Sequence, residues 1–288
     1  MIKKNPSLVF RQSLKRGPFI LPGAFDVLSS LLIEQQGFKG VYLSGGGLSV
    51  SYLGKPDMGF LQREDIISQT KRITEVVKTP LIVDIDTGFG GPQEVAKTIR
   101  YLEEAGAAGV QLEDQVTQKR CGHLEGKSVI PLSQMVLKVK AAVQAKKNSN
   151  FIIVARTDAR SVEGLEAALI RAEAYQRAGA DVIFPEGLMS KAEFLAFGQK
   201  KTLGTLMANM TEFGCSPALS VSDLVSMGYR IILYPMTAFR VAAFSMKEAL
   251  LKLKQQGHSR DLQKKMQTRS DLYKLINYKA KVLNRHFR

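Results

Sequence analysis

Eight short apolar runs, rich in β-branched residues, recur along the chain and constrain its fold more than any other feature. Segments with helical periodicity lie between them, for example 64–78 and 92–106. Continuously apolar strands that alternate with amphipathic helices indicate a parallel sheet covered by helices, and eight such units predict a closed (β/α)₈ barrel of the TIM type. An open, doubly wound sheet is the competing architecture. The runs are FILP (19–22), GVYLS (40–44), PLIVDID (80–86), GVQLED (109–114), FIIVART (151–157), DVIFPE (181–186), GTLMANM (204–210) and RIILYP (230–235).

Two further helical patterns, over 238–257 and 270–283, follow the eighth run. A barrel does not need these helices, and their apolar faces are most simply buried against another subunit. No linker rich in Pro, Gly or Ser divides the 288 residues. We therefore predict one domain, 1–288, in which 238–288 forms C-terminal helices that pack on a neighbouring subunit.

The net charge of +15 permits either a nucleic-acid surface or a basic protein that attracts small anions. The Lys and Arg residues are scattered instead of clustering with stacking aromatics, so no nucleic-acid partner is expected. No apolar run is long enough to span a bilayer, so no membrane partner is expected either. Two cysteines in so long a chain exclude a disulfide framework and favour a reducing compartment, the cytoplasm.

Polar residues at the carboxyl ends of the predicted strands are the candidates for function, because a barrel of this kind builds its site there. Residues from seven strands converge on one polar mouth. The candidates are Ser44, Gly45, Gly46, Asp84, Asp86, Glu113, Arg156, Asp158, Glu186, Asn209, Thr211 and, after the eighth strand, Arg240.

The sequence DID places Asp84 and Asp86 two residues apart, so both carboxylates point to the same side of an extended strand. Two like charges at the rim of an apolar barrel are costly unless a positive charge lies between them. Oxygen ligands without His or Cys suit Mg²⁺, and Glu113 could add a contact through water. Pairing of these carboxylates with helix lysines is the alternative.

The turn SGGG (44–47) after the second run exposes backbone N–H groups that no Cβ hinders, as in sites that cradle a carboxylate or phosphate. It matches neither the dinucleotide-binding fingerprint nor a P-loop, which argues against nucleotide binding. Simple turn chemistry is the alternative. Beside Arg156, Arg240 and a metal ion, an anionic ligand site is the better interpretation.

The pentapeptide KRCGH (119–123) gathers a cysteine, a histidine and two cations on a predicted loop. Lys119, Arg120 and His123 could lower the pKa of Cys121 and prepare it for proton transfer or nucleophilic attack. A buried inert cysteine, a metal ligand and a chance basic loop are the alternatives. Cys215 has no such neighbours in the sequence and is interpreted as a small apolar residue.

Eight motifs occur in order between about residues 8 and 280: YLSGGG, DIDTGFGG, EDQVTQKRCGH, ARTDA, FPE, ANMTEFG, LYPMTAFR and MQTRSDLYKLINY. Together they resemble the methylisocitrate lyase family, short members of the isocitrate lyase and phosphoenolpyruvate mutase superfamily. The resemblance implies a (β/α)₈ barrel whose last helix is exchanged between subunits of a homotetramer. It also implies Mg²⁺-dependent cleavage of 2-methylisocitrate, a small tricarboxylate, to pyruvate and succinate in the methylcitrate cycle of propionate breakdown.

By this resemblance Cys121 is the catalytic thiol on a gating loop, where it would protonate the carbanion formed by cleavage. His123 and Arg156 are grouped with it as catalytic residues, and Tyr42 is a candidate for the base. The implied metal residues are Asp84 and Asp86, with Asp57 and Glu113 around the metal. The implied substrate-binding residues are Ser44, Gly45, Gly46, Cys121, Gly122, Arg156, Glu186, Asn209, Met210, Thr211, Arg240 and Arg269.

Isocitrate lyase is the nearest rival activity, although its chains are longer and carry an insertion that is absent here. Phe184 and Leu233, placed at the mouth, suit a pocket that admits an extra methyl group, which discriminates by about 1–3 kcal/mol. Other enzymes of the superfamily act on small oxo or hydroxy acids and lack the KRCGH loop. The non-enzymatic alternative is a basic scaffold that binds nucleic acid.

Overall fold

The computed structural model describes residues 5–124 and 126–278, and its centre is a closed barrel of eight parallel strands. The strands are β1 (Phe19–Ala24), β2 (Val41–Leu43), β3 (Leu81–Asp84), β4 (Gly109–Glu113), β5 (Ile152–Thr157), β6 (Val182–Pro185), β7 (Thr205–Asn209) and β8 (Tyr229–Tyr234). They neighbour one another in sequence order, and β1 closes the ring against β8 from Phe19 with Ile231 to Pro22 with Tyr234. The eight predicted strands and the barrel are confirmed, and the open sheet is excluded.

Helices follow the strands and cover the outside of the barrel. They are α1 (Pro6–Arg16), α2 (Val27–Gln35), α3 (Gly45–Leu48), α4 (Arg63–Val76), α5 (Pro92–Glu104), α6 (Leu132–Ala145), α7 (Leu165–Arg177), α8 (Lys191–Gly198), α9 (Val221–Ser226), α10 (Thr237–Gln256) and α11 (Arg269–Leu275). A π-helical turn, Ser49–Leu53, and 3-10 turns at Ala159–Ser161 and Arg260–Lys265 complete the helical structure. None of the helices in the described ranges combines the length and apolarity needed to cross a bilayer.

The inside of the barrel is filled with side chains. Leu21, Ile82, Val154 and Met207 belong to one buried cluster and are fully inaccessible to solvent. Because successive strand residues alternate between the interior and the covering helices, the strands read as continuously apolar. Charged residues of β3, β4 and β5 lie at or near the carboxyl ends of these strands, which places the candidate site at the carboxyl end of the barrel.

α1 closes the opposite end. Asn5 caps it by accepting hydrogen bonds from the backbone N–H groups of the next turn. Phe10 is fully buried in the barrel cluster and meets the Phe19 ring edge-on at 5.5 Å. Arg11 donates to Asp181 at 2.6 Å and to the carbonyl of Asn150 at 2.8 Å. An aromatic plug and an ion pair therefore seal the amino ends of the strands.

The chain divides after Phe239 into two compact units. In the second unit, none of the residues of α10 is buried, and Val241, Phe244 and Leu250 are each more than half exposed. The helix predicted over 270–283 is observed only as the shorter α11, which ends at Leu275, and the positions from 279 onward lie outside the described residues. Packing of these helices on a neighbouring subunit stays a prediction, as does the single-domain organisation.

We expect Phe10→Ala to lower the free energy of unfolding by about 3 to 5 kcal/mol, because it removes a fully buried ring and leaves a cavity at the end of the barrel. Denaturant titration followed by circular dichroism measures the change. Leu8→Ala on the same helix is the control, since Leu8 is 42% exposed and its loss should cost less than about 0.5 kcal/mol. Equal effects of the two substitutions would contradict the assignment of Phe10 as a plug.

Candidate active site

Three buried carboxylates meet at the carboxyl ends of β3 and β4. Asp84 ends β3, Glu113 ends β4 and Asp86 lies in the turn after β3, and one oxygen of each lies within 4.8 Å of the others. The predicted geometry of the DID motif is wrong, because Asp86 lies beyond the strand in a left-handed conformation, with φ at 50°. Its backbone N–H donates to Asp84 Oδ1 at 3.1 Å. The predicted cluster nevertheless forms, and it could hold a metal ion.

The glycine turn after β2 begins α3 directly beside this cluster. Ser44 caps the helix, and the Gly45 N–H donates to Asp84 Oδ2 at 3.3 Å, so this amide faces a carboxylate of the protein. A Cβ on Gly45 would lie 2.9 Å from Asp84 Oδ2, and a Cβ on Gly46 would lie 3.3 Å from Asp57 Oδ2. The glycines thus leave space around the carboxylate oxygens that any side chain would fill.

Burial opposes the ionisation of the cluster. It raises the pKa of Asp86 to about 6, although Lys119 offsets part of the effect. Burial also raises the pKa of Glu113 well above its usual value, against the pull of Arg156. Buried carboxylates of this kind require nearby positive charge, and oxygen ligands without nitrogen or sulfur suit a hard divalent cation. The residues present therefore fit the metal predicted here.

Lys119 is the cation that the sequence places two residues before Cys121, but it is committed to the carboxylates. Its Nζ lies 2.5 Å from Asp57 Oδ1 and 2.5 Å from Asp86 Oδ1, and its side chain is 3% exposed. Lys119 therefore joins Asp57 to the acidic cluster. The alternative that the DID carboxylates pair with lysine is realised for Asp86, although the lysine comes from a loop and not from a helix.

Arg156 lies at the centre of a second group of charges. Its Nε and Nη2 atoms donate to the Asp158 carboxylate at 2.9 and 3.0 Å. Nη1 lies 3.4 Å from Glu113 and 3.7 Å from Glu186. Burial lowers the pKa of this guanidinium, but the three carboxylates outweigh burial and raise it well above its usual value. Arg156 is therefore a permanent buried cation that links the acidic cluster, through Glu113, to Glu186 on the far side of the mouth.

His123 is held on both sides of its ring. Nε2 lies 2.6 Å from Glu186 Oε1, and Nδ1 accepts the backbone N–H of Cys215 at 3.1 Å. Because Nδ1 is an acceptor here, the ring proton lies on Nε2 and points at Glu186. Asn209 donates to the same carboxylate at 3.2 Å. Burial raises the pKa of Glu186, but Arg156 and His123 outweigh it and lower the pKa to about 2.

Cys121 lies on the loop formed by residues 117–124 and 126–127, which we call the Cys121 loop. The expectation that neighbouring cations lower its pKa is wrong. Burial raises the pKa of the thiol above its usual value, and a hydrogen bond from the His123 backbone opposes this only in part. The side chains of Lys119 and His123 are bonded to carboxylates, so neither is available to stabilise a thiolate. A protonated thiol suits an acid better than a nucleophile.

Tyr42 is buried below the acidic cluster, and its hydroxyl donates to Gln111 Oε1 at 2.5 Å. Burial, together with the charge of Asp84, raises the pKa of this phenol well above its usual value. A phenol that is protonated and already donating its proton to an amide is a poor base. These contacts argue against the predicted role of Tyr42.

The protein is similar to known enzymes over nearly its whole length. A family profile described as phosphoenolpyruvate phosphomutase matches residues 10–254. The chain belongs to this family. The 2-methylisocitrate lyase of Aeropyrum pernix is 44% identical over 276 residues, covering 96% of this chain and 88% of that one. The 2-methylisocitrate lyase of Shewanella oneidensis is 42% identical over 278 residues, covering 96% and 95%. The crystal structure of 2,3-dimethylmalate lyase, a member of the PEP mutase/isocitrate lyase superfamily, aligns with a TM-score of 0.89 at 35% identity, covering 94% of this chain and 91% of that chain.

The resemblance inferred from the motifs is therefore confirmed. The prediction that Phe184 and Leu233 line a pocket at the mouth is wrong. Phe184 and Leu233 are each 1% exposed and belong to the interior cluster of the barrel. The guanidinium of Arg156 lies over the Phe184 ring at 5.4 Å and separates it from the mouth. Met210 and Thr211 instead line a cavity of about 390 Å³ next to the strand ends.

Two predicted substrate-binding arginines belong to the C-terminal unit. Arg240 lies on α10, and Arg269 is the first residue of α11. Arg269 lines a cavity of about 600 Å³ within this unit, with Tyr273, Lys274 and Tyr278 among its neighbours. Their contact with substrate stays a prediction.

Three residues that hold the site together were not predicted. Gln115 binds the backbone of Arg120 from both amide atoms, at 2.9 and 3.0 Å, and donates to Glu113 at 3.0 Å. Lys127 is buried and pairs with Asp158 at 2.9 Å. Cys215 is exposed, and its sulfur lies 3.3 Å from His123 Nδ1, so its interpretation as an apolar filler is wrong. Lys127 and Cys215 have partners that are distant in the chain, and the contacts of Gln115 with Arg120 depend on the path of the loop. Local sequence patterns do not encode such contacts.

The raised pKa of Cys121 predicts slow alkylation at neutral pH, because only the thiolate reacts and a raised pKa leaves less of it. In a Cys215→Ser background, we expect iodoacetamide to modify Cys121 more slowly than a cysteine peptide at about pH 7, with a rate that still rises above about pH 9. Mass spectrometry of the carbamidomethylated peptide measures the rate. A rate that reaches its plateau below about pH 8 would show a lowered pKa instead.

Proposed function

We propose that the protein is a Mg²⁺-dependent lyase that cleaves 2-methylisocitrate to pyruvate and succinate, a step of propionate breakdown through the methylcitrate cycle. The names and high identity of its relatives support this substrate. The observation that carries the proposal is the position of the Cys121 loop. A Cβ on Gly122 would lie 2.3 Å from Arg156 Nη2, and Arg156 also contacts Glu113 of the acidic cluster. Gly122, which follows Cys121, thus packs against Arg156, and Arg156 in turn contacts the carboxylates that would bind the metal.

Asp84, Asp86 and Glu113 would hold the magnesium ion, with Asp57 beside them. When bound there, the ion supplies positive charge that stabilises oxygen atoms of the substrate as they gain negative charge. The clustering of the three carboxylates supports this assignment, as does the space left by Gly45 beside their oxygens.

The cleaved bond joins the carbon that bears the hydroxyl to the neighbouring carbon that bears a carboxylate. The hydroxyl proton leaves to a base, its oxygen becomes the keto oxygen of pyruvate, and the bonding electron pair stays on the succinate fragment. That carbanion takes a proton from the thiol of Cys121. The raised pKa of the thiol supports this role, because it keeps the proton on sulfur until the carbanion forms.

Fixed positive charge and hydrogen-bond donors would orient the substrate carboxylates. Arg156 provides buried charge for a carboxylate, and the side-chain carbonyl oxygen of Asn209, which has no hydrogen-bond partner among the described residues, could accept from the substrate hydroxyl. Donors that are already in place stabilise developing charge without reorganising. The other proposed substrate contacts are Ser44, Gly45, Gly46, Gly122, Glu186, Met210, Thr211, Arg240 and Arg269.

We also propose a cytoplasmic homotetramer in which the C-terminal helices are exchanged between subunits. The exposed apolar residues of α10 support such packing, since Phe244 and Leu250 would otherwise face solvent.

Cleavage of 2,3-dimethylmalate is the second candidate activity, because the solved structure of 2,3-dimethylmalate lyase aligns with this protein at a TM-score of 0.89.

The decisive experiment compares three substrates, 2-methylisocitrate, isocitrate and 2,3-dimethylmalate, each with MgCl₂ and with EDTA. We expect the highest kcat/KM with 2-methylisocitrate, activity on isocitrate that is lower by about 10- to 200-fold, and no turnover in EDTA. Pyruvate release, coupled to lactate dehydrogenase, and chromatography of the acids measure the products. Preference for 2,3-dimethylmalate would replace the proposed substrate, and full activity in EDTA would exclude the metal.

Cys121→Ser should lower kcat by about 10²-fold or more, because a serine hydroxyl is a much weaker acid than a thiol. Substrate binding should persist, which calorimetry of the variant with 2-methylisocitrate and MgCl₂ can measure. Cys121→Ala, which removes the proton donor altogether, should lower kcat at least as far. Near wild-type turnover in Cys121→Ser would remove Cys121 from the mechanism.

A further inference from the structure

Lys127 is a buried lysine that the proposed mechanism does not use. Its side chain is 1% exposed, and its Nζ donates to Asp158 Oδ1 at 2.9 Å and to the carbonyl oxygen of Gly122. Gly122 directly follows Cys121. A single buried ammonium thus connects the backbone beside the thiol to a carboxylate at the end of the barrel.

The Cys121 loop is closed at its base by backbone hydrogen bonds. Val116 donates to the carbonyl of Ser128 at 3.0 Å, and Gln115 forms a β-bridge with Val129. Lys127 stands next to this base and reaches across the loop to Gly122. Its hydrogen bond to the carbonyl therefore ties the tip of the loop to its base, while its ion pair ties both to Asp158.

The surroundings of Gly187 show how closely these groups are packed. Gly187 has a φ of 69°, and a Cβ there would lie 3.6 Å from the Gly122 carbonyl oxygen, 3.7 Å from Cys215 Sγ and 3.9 Å from Lys127 Nζ. The loop tip, the segment that holds His123 and the Lys127 ammonium thus converge on one point of the turn after β6. The Lys127 side chain is 1% exposed, so little solvent is at hand to replace the carbonyl as its partner.

We propose that Lys127 is a positioning residue for the reaction: by gripping the Gly122 carbonyl and Asp158 together, it fixes the thiol of Cys121 over the barrel mouth. Asp158 also binds Arg156, so the same two contacts of Lys127 set the distance between the loop and the guanidinium. A buried ammonium must keep its partners, and release of the loop tip would strip one of them from Lys127. This inference rests on the proposed role of Cys121 as the acid.

The test replaces Lys127 by methionine, which keeps the length of the side chain and removes the charge and the donor. Hydrogen exchange of the ligand-free protein, followed by mass spectrometry, should show exchange in 117–124 at least about tenfold faster, with exchange in β4 and β5 unchanged. With 2-methylisocitrate and MgCl₂, kcat/KM should fall by about 10²-fold, because a small displacement of a reacting group is costly. A purely structural role would instead speed exchange throughout the barrel.

Lys146 offers a matched control. Its Nζ also bridges a carbonyl and a carboxylate, Phe151 O at 3.0 Å and Asp181 at 3.4 Å, but at the opposite end of β5. Lys146→Met should leave both kcat/KM and exchange in the Cys121 loop near wild type. Lys127→Gln, which retains one donor, should fall between the wild type and Lys127→Met, and it carries the test if Lys127→Met does not fold.

Unchanged exchange and unchanged kcat/KM in a folded Lys127 variant would overturn the proposal, as would equal losses in Lys127→Met and Lys146→Met. Faster loop exchange with wild-type kcat/KM would overturn it as well, because the loop would then not position the thiol. If the wild type cleaved no substrate, the proposed function would fail, whereas the exchange data would still decide whether Lys127 holds the loop.

Discussion

The architecture of the site depends on one buried guanidinium. Arg156 ends inside the barrel mouth and contacts three carboxylates, Asp158, Glu113 and Glu186, that come from strand ends or from the residue just beyond them. Without it, Glu113 would lose its ion pair, and Asp158 and Glu186 would keep only Lys127 and His123 as partners; removing one partner of a buried ion pair is strongly destabilising. The chain tolerates a mouth this acidic because β5 delivers a permanent positive charge to its centre.

The same guanidinium determines how closely the Cys121 loop can approach the mouth of the barrel. Gly122 packs against Arg156 so tightly that a Cβ would lie 2.3 Å from Nη2 and 2.6 Å from the Glu186 side chain. Only glycine permits this approach, and the approach carries Cys121 to the mouth. Two side chains of KRCGH support the same contact. Lys119 forms ion pairs with carboxylates of the mouth and His123 donates a hydrogen bond to Glu186, so both fasten the loop, whereas burial controls the acidity of the thiol.

The fold could be predicted from the sequence because its signals are local. Eight apolar runs and the helical segments between them are read from consecutive residues, and the rule that barrel sites lie at the carboxyl strand ends then locates Asp84, Glu113, Arg156 and Glu186. Their mutual contacts were not predictable to the same degree. The turn that gives Asp86 a φ of 50° has no signature in DID, and the contact between His123 and Cys215 joins residues 92 positions apart.

The charges at the mouth of the barrel also constrain the order of events. The carboxylates at the mouth include Asp57, Asp84, Asp86, Glu113, Asp158 and Glu186, and the cations paired with them include Lys119, Lys127 and Arg156. Each of these cations is already committed to two or more carboxylates or to a carbonyl. Burial already raises the pKa of Asp86 and Glu113, and the carboxylates that are ionised would repel a tricarboxylate, since Coulomb interactions in a partly buried site are only weakly screened. Positive charge must therefore be added before the substrate can settle. In the proposed function, a divalent cation held by the acidic cluster would supply this charge, and the anionic substrate would bind after it.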